Sequence, residues 1–253
     1  MLVTADSITQ LRKPGDKMQI CSFLWVYYGY PVCEYEGRNV DQMRYDCGVE
    51  MGKSDKTEAD FVSGIPDSGI GMALGYAAGK RIPYKRGIVK YTPTWPRSFM
   101  PTNQSQRELI ARMKLIPVQA LIENKKLLLI DDSIVRGTTC GRIVKLLREA
   151  GAKEVHFMVS SPPFRNPCYF GTDIDSRDKL IACRMTIPEI AKSIDVDSLH
   201  YLSVDGVRAI AEGANCGFCV GCFTGEYPVD VPGELPKDKF ECKISDRDKR
   251  GVR

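Results

Sequence analysis

Apolar and polar positions alternate along the chain in a repeating order: a short continuous apolar run, a polar or glycine-containing turn, then a segment of helical periodicity. CSFLWVYY, beginning at Cys21, reads as a strand, and NVDQMRYDCGVEM reads as a helix that opens on Asn39 as its N-cap. ADFVSGIP is a second strand. Asp67 and Ser68 follow it, and then comes the small-residue helix IGMALGYAAGK. GIVKY is a third strand and LLLIDD a fourth. The next helix, TTCGRIVKLLREAG, puts Ile143, Val144, Leu147 and Ala150 on one face and stops at Gly151. EVHFMVSSPP is a fifth strand. Continuous apolar strands separated by helices predict an α/β fold, a mainly parallel sheet with helices on both faces, in which ligands gather at the carboxyl ends of the strands. No internal repeat or low-complexity tract interrupts the pattern. The stretch from 90 to 108 is a long polar loop with three prolines, a length and composition that suit a lid.

Two strand ends carry polar groups that burial alone does not explain: PDS at 66–68, and the adjacent carboxylates Asp131 and Asp132. Burial and mutual repulsion both disfavour two ionised neighbours unless a cation or a set of hydroxyls meets them. A ligand is therefore implied. The residues that follow, Ser133 to Thr139, supply hydroxyls, a glycine for a tight turn and the start of a helix, which together make an anion cradle.

Composition narrows the class. With 253 residues, 43% hydrophobic and 27% charged, the chain is large enough for one sizeable core and a small appendage. Its net charge of +4 suits a phosphorylated small molecule as well as nucleic acid and decides nothing alone. Apolar stretches are too short to cross a bilayer and the N-terminus lacks a signal-peptide core, so a cytoplasmic protein with no membrane partner is expected. Ten cysteines in a reducing compartment read as core fillers, nucleophiles or metal ligands before disulfides. Cys216, Cys219 and Cys222 in CGFCVGC stand at intervals of three, a spacing at which thiolates reach one metal or cluster; on this motif alone zinc is the plain reading. The two histidines, His156 and His200, fall in no catalytic motif and read as structural.

The strand, twin acids, hydroxyl-rich loop and helix resemble the phosphoribosyl pyrophosphate (PRPP) signature of type I phosphoribosyltransferases. DDSIVRGTT is similar to the version found in the glutamine PRPP amidotransferase family, and GIPDSG, RMKL, EAGAKEVH, SSPP and CFTGEYP resemble that family in order and spacing from about Met18 to Pro228. The resemblance implies a type I phosphoribosyltransferase fold over 18–212, with a cysteine-rich C-terminal segment over 213–253 packed on it and ending in a mobile tail. It implies the first step of de novo purine synthesis, in which ammonia displaces pyrophosphate from PRPP to give 5-phosphoribosylamine. Asp131, Asp132, Ser133, Ile134, Val135, Arg136, Gly137, Thr138 and Thr139 would bind PRPP, and Ser68 would join Asp131 and Asp132 around Mg2+. Lys90 and Arg97 in the 90–108 loop would act on the leaving pyrophosphate, with Arg112 and Lys114 just beyond. This loop departs from the family's usual form, keeping Lys90, Arg97 and Phe99 around YTPTWP.

By the same resemblance, four cysteines hold an iron-sulfur cluster in one branch of the family, and Cys21, Cys168, Cys219 and Cys222 match their positions. A 4Fe-4S cluster is then expected, as a clasp between the core and the C-terminal segment, with zinc and free thiols as the other readings. Cys216 would be a spare neighbour; Cys33, Cys47, Cys140, Cys183 and Cys242 read as packing or surface residues. The family begins with a glutaminase domain that supplies ammonia, and no residue here matches its nucleophilic cysteine. A fragment, a split-gene subunit and an ammonia-dependent enzyme remain open. Purine nucleotide inhibitors and a homo-oligomer are carried over as expectations. The functions weighed against this one are a PRPP-sensing regulator and a purine-salvage phosphoribosyltransferase. Neither a helix-turn-helix pattern nor a dense basic stripe is present, so no nucleic-acid partner is expected.

Overall fold

The computed structural model describes residues 1–13, 15–91, 115–172, 174, 176–210 and 212–231. In chain order the main elements are β1 (Gln19–Cys21), α1 (Val40–Ser54), β2 (Phe61–Gly64), α2 (Ile70–Lys80), β3 (Ile88–Lys90), β4 (Leu115–Pro117), β5 (Lys126–Asp131), α3 (Thr138–Glu149), β6 (Glu154–Val159), α4 (Ile187–Ser193), β7 (Ser198–Tyr201), α5 (Val204–Ile210) and β8 (Gly217–Cys219). The central sheet runs β7–β6–β5–β2, all parallel, with Leu128 level with His156 on one side and Val62 on the other.

The near-continuous apolar run of β5 serves both faces of this sheet. Leu127 and Leu129 pack with Ile143, Val144 and Leu147 of α3 and Ile190 of α4. Leu128 and Ile130 pack on the opposite side with Cys47 and Met51 of α1 and Met72, Ala73 and Tyr76 of α2. Successive strand residues point to opposite faces, so a run that is apolar at every position must be covered twice. All four of these β5 side chains are no more than 1% exposed.

Asn39 caps α1 as expected, its side chain accepting the Gln42 N–H at 3.0 Å. Two strand expectations are corrected. In CSFLWVYY only Cys21 is in a strand; Leu24–Tyr28 form one π-helical turn. The aromatic and β-branched run favours a strand locally, but the buried Arg44 side chain overrides it by donating to the carbonyls of Trp25 (2.8 Å), Tyr27 (3.0 Å) and Gly29 (2.9 Å). GIVKY does give β3, yet it pairs antiparallel with β4 in a separate ribbon and adds nothing to the parallel sheet. The sheet's edge is instead β7, a short strand whose polar flanks Asp197, Ser198 and His200 hide it in the apolar pattern.

Beyond 212 the chain returns to the body of the fold. β8 pairs parallel with β1, placing Cys219 level with Cys21, and Phe223 is buried against Phe164 with ring centroids 5.0 Å apart. Residues 232–253, including Cys242, lie outside the described residues. Among the described residues no helix is long and apolar enough to cross a membrane.

Candidate functional site

The carboxyl ends of β2 and β5 open into one cleft of about 790 Å³. Its lining includes Ser68, every residue from Asp131 to Thr139, and the aromatic rings of Phe23, Tyr27 and Tyr28. The PDS turn and the twin-acid loop meet there: Ser68 Oγ donates to Asp131 Oδ1 at 3.0 Å. The same carboxylate oxygen accepts the Asp132 N–H at 2.9 Å, and Ser133 Oγ donates to Asp132 Oδ2 at 2.6 Å. From behind, the Ser160 amide and hydroxyl both donate to the Asp131 carbonyl, at 3.0 and 3.1 Å. The turn comes this close because residue 69 is glycine; a Cβ there would stand 2.1 Å from the Ile130 carbonyl oxygen.

Asp131 and Asp132 are 8% and 5% exposed, so two acids do lie side by side out of water. Burial first, and the neighbouring Asp132 second, push the Asp131 carboxyl well above its ordinary range. The pair is poised for hydroxyl donors or a hard cation, and its oxygens with Ser68 Oγ form a donor set of the kind Mg2+ prefers. The loop that follows offers main-chain donors. Among the described residues, the amides of Ser133, Ile134, Val135 and Gly137 have no main-chain acceptor. Gly137, at φ +80°, turns the chain into α3, whose N-terminus then points its free N–H groups and partial positive charge into the cleft. This is an anion cradle beside a carboxylate pair.

Lys90 stands outside this lining, ion-paired to Asp67 at 2.5 Å. Arg97, Arg112 and Lys114 lie outside the described residues, as does most of the loop expected as a lid. Cys140 lines the cleft, but burial, followed by the charges of Asp131 and Asp132, pushes its thiol up, which makes it a packing residue and a poor nucleophile. His156 is held between Ser198 Oγ (2.9 Å) and Glu154 Oε2 (3.2 Å) at the other end of the sheet. Sequence reasoning missed the aromatic wall and its support. The clue was Arg44, a charged residue on the apolar face of α1 that needed several buried acceptors.

A second cavity, about 430 Å³, is lined by Cys21, Cys168, Cys219 and Cys222 together with Lys17, Thr172 and Tyr227. The four thiols come from β1, the loop after β6, and the end of β8 with the turn beyond it. Burial pushes the Cys222 thiol up, and the nearness of Cys21, Cys168 and Cys219 adds to this; burial likewise raises Cys21. Cys216 does not line the cavity and packs instead against the cluster of Trp25, Val40 and Met43. Among the described residues no group of three or more His, Cys, Asp or Glu side chains is arranged around a single metal ion. A multi-iron cluster places each thiolate on a different iron, so its ligands stand farther apart than those of one zinc ion at about 2.3 Å each. The soft donor set and the shared cavity fit such a cluster.

A parallel sheet with twin acids and a glycine-containing loop leading into a helix at the carboxyl end of one strand is the arrangement of a type I phosphoribosyltransferase fold. Comparison with known proteins carries this further. The chain is 42% identical to an amidophosphoribosyltransferase of Synechocystis over 231 residues, 91% of this chain and 46% of that one. It is 43% identical to the Bacillus subtilis amidophosphoribosyltransferase over 216 residues, 84% of this chain and 45% of the relative. Among solved structures it resembles the B. subtilis glutamine PRPP amidotransferase complexed with ADP and GMP, with a TM-score of 0.77 and 41% identity over 87% of this chain and 49% of that one. A structure described as the allosteric regulatory enzyme of purine biosynthesis matches with a TM-score of 0.79 and 40% identity, covering 88% of this chain and 48% of its own. No protein-family model matches. Its curated relatives are amidophosphoribosyltransferases, matched over about nine-tenths of this chain, and it spans about half the length of those relatives.

Proposed function

We propose that this chain binds PRPP in the cleft and transfers its phosphoribosyl group to ammonia. Nitrogen attacks C1, the C1–O bond to pyrophosphate breaks, and one proton leaves the nitrogen, giving 5-phosphoribosylamine. The observation that carries the reading is the meeting of Ser68, Asp131, Asp132 and the 133–139 loop in one cleft. The amides of Ser133, Ile134, Val135 and Gly137, with Thr138 and Thr139 at the start of α3, would receive the 5-phosphate. Asp131 and Asp132 would accept from the ribose 2- and 3-hydroxyls. Ser68, Asp131 and Asp132 would hold Mg2+, which when bound supplies positive charge to the pyrophosphate oxygens. Phe23, Tyr27 and Tyr28 border the cleft and would shield the reacting carbon on that side. Lys90 and Arg97 are proposed to stabilise the departing pyrophosphate, Lys90 after exchanging its Asp67 partner.

Cys21, Cys168, Cys219 and Cys222 are proposed to hold a 4Fe-4S cluster that clasps β8 and the following turn to the core. The solved B. subtilis relative carries ADP and GMP, which supports purine nucleotide inhibitors here; a homo-oligomer and an ammonia supply from a glutaminase domain complete the proposal. The test is pyrophosphate release from PRPP and Mg2+, with and without ammonium and with a free purine base in a third arm. Ammonium-dependent release supports the reading. Release that depends on the base supports salvage and overturns it.

A further inference from the structure

We propose that Tyr227 is a latch that locks the Cys168 loop onto the Cys219–Cys222 turn, so that the four thiols converge on one cavity before anything binds them. The inference rests on the cluster reading only for what the thiols finally hold. Tyr227 Oη donates to the carbonyl of Pro167, the residue before Cys168, at 2.6 Å. The same ring meets the two residues after Cys168 edge-on: Tyr169 at 5.2 Å and 79°, Phe170 at 5.9 Å and 68° between centroids and planes. Both flanks of Cys168 are therefore pinned by one side chain.

The ring also lies on Gly221, between Cys219 and Cys222, where a Cβ would be 2.3 Å from Tyr227 Cδ1. Only glycine lets an aromatic ring approach the turn this closely. Without Tyr227, the loop and the turn would be joined by the packing of Phe164 on Phe223 and by the amides of Arg165 and Asn166, which both donate to the Cys222 carbonyl at 3.0 Å. Those bonds fix Cys222 but stop short of Cys168. Among the described residues, the hydrogen bonds of Cys168 within its own loop are long, its amide to Ile174 O at 3.4 Å and its sulfur to the Phe170 amide at 3.4 Å. Neutral thiols have no mutual attraction strong enough to gather four segments, so packing must do it. Tyr227 is the side chain placed to do so.

The full chain, purified free of metal under reducing conditions, tests this by the alkylation rate of each cysteine, read by mass spectrometry in the wild type, Tyr227→Phe and Tyr227→Ala. Exposed Cys183 is the internal reference, and Cys47 and Cys140, buried in the core, report on global unfolding. Tyr227→Ala should speed alkylation of Cys168 and Cys222 roughly tenfold while leaving the reference and core cysteines unchanged, with Tyr227→Phe between. After anaerobic loading with ferrous iron and sulfide, a chelator should bleach the visible absorbance of the alanine variant faster by a similar factor. Equal rates in all three proteins overturn the latch. If Tyr227→Ala also exposes Cys47 and Cys140, Tyr227→Phe decides, and wild-type rates there overturn it. A wild type that takes up no iron and sulfide refutes the cluster reading, while the alkylation rates still judge the latch.

Discussion

Ser68 and Asp131, sixty-three positions apart, are joined by a 3.0 Å hydrogen bond from Oγ to Oδ1 that closes the PDS turn onto the twin-acid loop. It ties together the side chains of two strand ends whose main chains already pair at Gly64 and Ile130. Ser68→Ala removes one of the two donors to that oxygen among the described residues and one oxygen of the proposed metal set. The expected result is Mg2+-dependent PRPP binding weakened by about 1–2 kcal/mol, roughly 5- to 30-fold, with melting temperature little changed. Titration calorimetry at fixed Mg2+ measures it, and unchanged affinity would remove Ser68 from the site.

Arg44 is 5% exposed and has its side-chain hydrogen bonds on the carbonyls of Trp25, Tyr27 and Gly29. Arg44→Met keeps much of the apolar stem but orphans those carbonyls and releases the π-helical turn. A loss of about 2–4 kcal/mol follows from hydrogen bonds to a charged group, a fall in melting temperature of roughly 5–15 °C. Denaturant unfolding followed by tryptophan fluorescence reads it directly, because Trp25 is one of the bonded residues; a loss below 1 kcal/mol would contradict the clamp.

Asp197 contributes to the acid limb of stability. Burial alone would raise its carboxyl, but the Val155 N–H at 2.6 Å and the Arg148 guanidinium at 2.8 Å outweigh burial and hold it below the usual range. A depressed folded-state value means that the unfolded chain binds the proton more readily, so this stabilisation is complete above the unfolded value near 3.9 and is lost as pH falls through the folded one. Asp197→Asn should therefore be less stable than wild type at pH 7 and nearly equal to it at the acid end. Melting curves from pH 7 down to about 3 test the sign; a gap that widens on acidification would refute it.

The cysteine constellation predicts an uneven mutational pattern. After loading with iron and sulfide, serine at Cys21, Cys168, Cys219 or Cys222 should abolish or bleach the visible chromophore. Cys216→Ser should keep it, since Cys216 packs away from the cavity against Trp25, Val40 and Met43. Equal losses at Cys216 and Cys219 would mean that the ligand set has been misassigned.

Much of this architecture was legible in the residues, and the exceptions have physical causes. LLLIDD announced a doubly covered strand because its first four positions are all apolar, and Asp131 with Asp132 announced a ligand because buried like charges need one. TTCGRIVKLLREAG showed its buried face through Ile143, Val144 and Leu147. CSFLWVYY misled because local preference for strand is weaker than three hydrogen bonds from Arg44, nineteen positions away in the case of Trp25. GIVKY misled differently, since its own sequence is strand-like and only its partner, Leu115–Pro117, shows that it belongs to another ribbon. β7 was hidden because an edge strand with exposed His200 carries little apolar signal. The convergence of Cys21 with Cys219 depends on a parallel pairing between chain segments nearly two hundred residues apart, which the spacing of CGFCVGC does not encode.

The central claim is that the cleft at Asp131–Thr139 grips a phosphorylated ribose. Titrating PRPP with Mg2+ into the wild type and into the double variant Asp131→Asn, Asp132→Asn measures it most directly. One site per chain in the wild type, with affinity at least about 100-fold weaker in the variant while both remain folded, is the predicted result. Equal affinity in the two proteins would contradict the account.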